Sequence, residues 1–116
     1  MGRRSRRRAQ GGGALAATTD YTDAEGDVLT LRDELSAGTL RALRNLDAKP
    51  AASAEDRWQR RQELLFERLA VRWTIAGLPL EGQKELLGRY RMASAAERQR
   101  VRAAIDEHVA KHLPEL

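Results

Sequence analysis

Apolar residues along this chain fall into short runs separated by turn-forming residues, and each run has its own period. Val28-Leu29-Thr30-Leu31-Arg32 has strand character, and Asp23-Ala24-Glu25-Gly26 before it is a turn signal, because Gly takes positive φ without cost. Together they predict a short β-hairpin, 15–22 with 27–32. A lone hairpin is marginal in water, so Leu29 and Leu31, which share one face, must rest on a helix. Leu40, Leu43 and Leu46 recur at helical spacing after Ser36 and Gly38, which predicts a helix near 37–47. Lys49-Pro50 breaks it. Ser53-Ala54-Glu55-Asp56 resembles a capping box, and a long central helix is expected over 54–76, stopped by Gly77 and Pro79. A third helix, 81–91, carries Leu86, Leu87 and Tyr90. Ser94 with Glu97 opens a fourth, 95–112, closed by Pro114. The expected fold is mainly α: a small helical domain of about four helices over 15–116, with a short N-terminal β-hairpin, behind a disordered basic Arg/Gly arm at 1–14.

Read as one helix, 54–76 presents two apolar stripes. Trp58, Leu65, Leu69 and Ala76 fall together at helical spacing, widened by Phe66, Ala70 and Trp73. Leu64, Val71 and Ile75 form a separate stripe. Three of the five aromatics, Trp58, Phe66 and Trp73, lie in this one segment. Two readings follow. The helix is sandwiched within its own domain, or one stripe is an interface for a second copy of the chain or for another protein.

Charge changes the picture less than the total of +4 suggests. Arg3, Arg4, Arg6, Arg7 and Arg8 form a basic arm. Residues 9–56 hold four Lys/Arg against nine Asp/Glu, and 57–116 hold twelve against eight, so the body is nearly neutral. The arm is too polar and Gly-rich in its sequel to be a secretion signal, and no run is apolar enough to span a membrane. The chain has no cysteine, which excludes disulfides and thiolate metal sites and suits a reducing cytoplasm. Five arginines in six residues can neutralise phosphates, so a nucleic-acid contact through the arm is one reading; a solubilising tail is the other. No aromatics interleave the arginines, so base stacking is not expected there.

Candidate chemistry is sparse. His108 and His112 are one helical turn apart on the face of Val101 and Ile105, a spacing that can chelate a metal. Val109 stands where a zinc-protease motif has Glu, and no carboxylate is evident at the same point, so two histidines at a core edge are expected rather than a metal site. The acidic pairs Glu25/Asp27 and Asp33/Glu34 flank a turn and a strand end. Gly11-Gly12-Gly13 lacks the Lys and the strand-to-helix context of a phosphate loop, and no Ser or Thr has a nucleophile motif. Neither a cofactor, a small-molecule substrate nor an enzymatic activity is expected.

Asp23–Gly26, Leu29–Arg32, Val71-Arg72-Trp73 and Gly77-Leu78-Pro79-Leu80 match D-x-x-G, L-x-L-R, V-x-W and G-x-P-L segments. On these short motifs, residues 20–116 resemble the small tail assembly chaperones of long-tailed phages and actinobacterial prophages. The resemblance implies a helical, non-enzymatic cytoplasmic protein that binds tape-measure or tail-tube protein, with Leu64, Val71, Trp73 and Ile75 as partner contacts. The arginine arm is not part of the family pattern. The alternative function is a small nucleic-acid-binding accessory protein using Arg3, Arg4, Arg6, Arg7 and Arg8.

Overall fold

A computed structural model describes residues 17–48 and 53–116. The five arm arginines, and with them the expected disordered segment, lie outside the described residues. The order of elements is β1 (Thr18–Thr22), β2 (Val28–Arg32), α1 (Ala37–Ala48), α2 (Ala54–Leu69), β3 (Ala70–Ile75), β4 (Leu78–Glu81), α3 (Gln83–Arg91) and α4 (Ala95–His112). The four strands make one antiparallel sheet in the order β1-β2-β3-β4. The architecture is therefore α+β, and the expected mainly α fold is corrected: a second hairpin, β3–β4, doubles the sheet.

The predicted N-terminal hairpin, α1, α3 and α4 form close to where the sequence places them. The central helix does not run to residue 76. Ser53 caps α2 by accepting a hydrogen bond from the Asp56 amide, but the backbone turns extended at Ala70, with φ −70° and ψ 126°. Val71, Trp73, Thr74 and Ile75 are β-branched or aromatic, which favours a pleated, half-buried strand over a helix. Ala76 and Gly77 both take positive φ, 53° and 79°, and Ile75 pairs with Leu78. That is a two-residue hairpin of the type I′ kind, whose twist matches its strands. Gly77 is thus a hairpin turn and not a helix terminus, and Pro79 sits on the edge strand, where a missing N–H is tolerated. The stripe through Leu64, Val71 and Ile75 disappears with the helix.

Register sorts the sheet into two faces. Tyr21, Leu29, Trp73 and Leu80 are successive cross-strand neighbours and form one rank of the inner face. Toward the hairpin turns the next inner rank ends in Ile75 and Leu78. The outer face carries Asp20, Thr30 and Arg72 in register, and the Thr30 hydroxyl donates to Asp20 Oδ1 at 2.6 Å. Between β2 and β3 the pairing skips Val71: Thr30 faces Arg72 but Leu31 faces Ala70. This bulge returns Ala70 and Trp73 to the same inner face although they are three apart.

Helices cover the inner face. Phe66 of α2 is fully buried, stacked on Tyr90 at 4.7 Å and edge-on to Trp73 at 5.9 Å between ring centroids. Leu31, Leu43, Leu65, Leu69 and Ile105 complete the sealed centre. At the start of α4, Ser94 Oγ accepts from the Glu97 amide while Glu97 Oε1 accepts from the Ser94 amide, a full capping box. No helix among the described residues is long and apolar enough to cross a membrane.

Candidate functional site

The turn end of the inner face is only partly covered. Between the sheet and α4 lies a cavity of about 260 Å³ with Tyr21, Leu29, Trp73 and Val101 as its apolar walls. Ala103 and Ala104 of α4 complete them: small side chains where larger ones would fill the space. Asp23, Asp27 and Glu107 line the cavity against one cation, Arg100. Leu78, in the adjacent rank of the same face, is 73% exposed. The unfilled socket and an exposed large side chain on the same sheet face both leave apolar surface in contact with water.

The acids around the socket hold its frame. Asp23 Oδ1 accepts from the amides of Glu25 and Asp27, at 2.9 and 3.1 Å, and its Oδ2 accepts from Arg100 Nε at 3.1 Å, tying the first hairpin turn to α4. Asp27 Oδ1 accepts from the Ala76 amide at 3.1 Å, tying the first turn to the second. Both carboxylates are committed to turn amides or a guanidinium, which fixes the shape of the socket. The lining residues include no Ser, Cys or His.

The expected partner-contact residues separate. Trp73 is 3% exposed and forms a wall of the socket from within, with the Arg89 guanidinium 5.2 Å over its ring. Ile75 is half-buried on the same face. Leu64 lines a different recess, with Leu46 and Glu67, and Val71 lines a third, with Arg32 and Gly82. The fold thus brings Trp73 and Ile75 together and sets Leu64 and Val71 apart from them.

A second constellation adjoins the socket through Tyr21. The Tyr21 hydroxyl lies 2.7 Å from His108 Nδ1, and His108 Nε2 lies 2.6 Å from the Arg32 carbonyl oxygen. A carbonyl only accepts, so Nε2 carries the proton and donates it, and Nδ1 accepts from the tyrosine. His108 is fully buried, and that burial holds its pKa below the usual histidine value; the proximity of His112 adds to the fall, while the Arg32 carbonyl and Asp33 oppose it. Burial, with Glu107 and Asp33 nearby, raises the Tyr21 pKa. Asp33, just past the end of β2, places Oδ1 3.8 Å from His108 Nε2 and 3.8 Å from His112 Nε2, and accepts from the Thr19 hydroxyl at 2.6 Å. A carboxylate is therefore directed at the histidine pair after all. Its signal was strand parity: Thr19 and Tyr21, and Leu29, Leu31 and Asp33, are odd-numbered positions of one hairpin face. Helical spacing within α4 alone could not supply it.

Comparison with protein-family models, with curated proteins and with solved structures returns no match.

Proposed function

We propose that this protein is a non-enzymatic interaction factor that holds an apolar side chain of another protein in the socket at the turn end of its sheet. The observation that carries the reading is an unfilled apolar cavity of about 260 Å³ on the same sheet face as a leucine that is 73% exposed. Burying both on a partner removes apolar surface from water, at roughly 25 cal/mol per Å². The surrounding charges favour one kind of partner. Three acids against one arginine suit a segment whose anchor residue, Leu, Met or Phe in size, is flanked by Lys or Arg.

The resemblance to tail assembly chaperones supplies the candidate partners, a tape-measure or tail-tube protein, and a chaperone of that kind needs an apolar contact surface and no catalytic group. The test is calorimetric titration of the full chain with overlapping peptides from a phage tape-measure protein and a tail-tube protein. Saturable binding weakened at least tenfold by Leu78→Asp and by Ala103→Arg is expected. Binding to neither protein, or binding that both substitutions leave unchanged, would overturn the reading.

A further inference from the structure

The cluster on the far side of Tyr21 contributes nothing to the socket, yet it collects donors of one chemical kind. We propose that Asp33, His108 and His112 form a binding site for a divalent transition metal of the zinc class.

One ligand atom from each of the three residues lies within 4.8 Å of the others. Asp33 Oδ1 is 3.8 Å from both histidine Nε2 atoms. Zinc bonds of about 2.0–2.2 Å place neighbouring tetrahedral donors roughly 3.3 Å apart, so each carboxylate–imidazole pair has to close by about half an ångström. His112 is half-buried and sits in the last turn of α4, where a small rotation is least opposed. Two imidazoles with one carboxylate suit zinc and its first-row neighbours and poorly suit Mg²⁺ or Ca²⁺, which take oxygen donors. Two further oxygens border the three: the Arg32 carbonyl, 2.6 Å from His108 Nε2, and Thr19 Oγ1, 3.4 Å from His112 Nε2.

In the metal-free protein the Nε2–H of His108 fills the place that the ion would take. Loading exchanges one tautomer for the other. Nε2 gives up its hydrogen and offers a lone pair to the metal, Nδ1 gains a hydrogen and donates it to the Tyr21 oxygen, and the imidazole stays neutral throughout. Nδ1 keeps the same partner, at 2.7 Å in the metal-free form. A ligating histidine is usually held by such an outer hydrogen bond, and here Tyr21 stands ready to provide it. The Arg32 carbonyl loses its donor and has to move back from 2.6 Å by about 0.7 Å to complete the coordination as a fourth ligand.

The experiment uses the full, metal-stripped chain. Titration with Zn²⁺ is expected to show one saturable equivalent and a raised thermal midpoint. Co²⁺ should develop the visible absorption of a tetrahedral site, and Mg²⁺ should do neither. His112→Ala and Asp33→Asn replace partly exposed side chains and should weaken Zn²⁺ binding at least tenfold with unchanged far-ultraviolet circular dichroism. Tyr21→Phe, acting only through His108, should weaken it by about tenfold. The absence of a saturable equivalent of Zn²⁺, or an affinity that His112→Ala and Asp33→Asn both leave intact, would overturn the assignment; the socket proposal would be untouched by either outcome.

Discussion

Tyr21 faces two environments. Its ring walls the socket, and its hydroxyl satisfies the inner nitrogen of a fully buried histidine. Tyr21→Phe keeps the ring and leaves His108 Nδ1 with no donor. The expected cost is about 1–3 kcal/mol, the penalty for a buried polar atom without a partner, measured as a shift in urea midpoint at neutral pH. Glu97 is the corresponding case at the surface. Arg89 Nη2 donates to its Oε2 at 2.7 Å, and with the Ser94 amide this pushes its pKa from 4.5 to about 2. A carboxylate whose folded pKa is depressed favours the folded state above its unfolded pKa, and that contribution is lost as pH falls through the folded value. The stability advantage of the native chain over Glu97→Gln should therefore be constant at neutral pH, shrink below about pH 4.5 and be gone near pH 2. Urea midpoints at three pH values would show it, and an advantage that persisted at pH 2 would contradict it.

The second hairpin is where helix and strand make opposite claims on the same residues, and one substitution tells them apart. Ala76 has φ 53°. An L-residue in that conformation carries about 1–2 kcal/mol of strain that glycine does not. Ala76→Gly should raise stability by about 1 kcal/mol, whereas as the last residue of the helix expected over 54–76 it would relieve no strain and raise nothing. Thermal or urea unfolding of the single variant decides between them. The reason that the hairpin was illegible is physical. Val71, Trp73 and Ile75 satisfy an alternating pattern, yet on a helix Trp73 widens the stripe of Leu65 and Leu69 while Val71 and Ile75 continue that of Leu64, and a run this short fits both periods. The bulge at Val71 further breaks the clean alternation. The capping box at Ser94 and the Asp23–Gly26 turn were legible because each is a local device that needs no distant partner. The socket and the Asp33 cluster depend on which strands neighbour each other, and local pattern carries no such information.

Across the whole molecule, the inner sheet face passes from a sealed core to an open turn end, and the rank of Tyr21, Leu29 and Trp73 borders both. Leu31 is sealed in one core cluster with Phe66, Leu69 and Ile105, and Phe66 meets Trp73 edge-on. The rank at the turns ends in Leu78, which the helices leave open. A chain this short has a modest core, so the loss of one sealed residue is a large fraction of its stability. Phe66→Ala removes the ring that joins α2 to β3 and α3 and should cost about 3–5 kcal/mol, enough to bring a domain of ordinary stability close to unfolding. Leu78→Asp touches none of those contacts and should change stability by no more than about 0.5 kcal/mol. It should nevertheless abolish whatever association the open rank supports, whether with a second copy, seen as a fall in mass by light scattering, or with another protein, seen in calorimetry. If Leu78→Asp unfolded the chain as Phe66→Ala does, the turn end would belong to the core and the separation of fold from partner surface would fail.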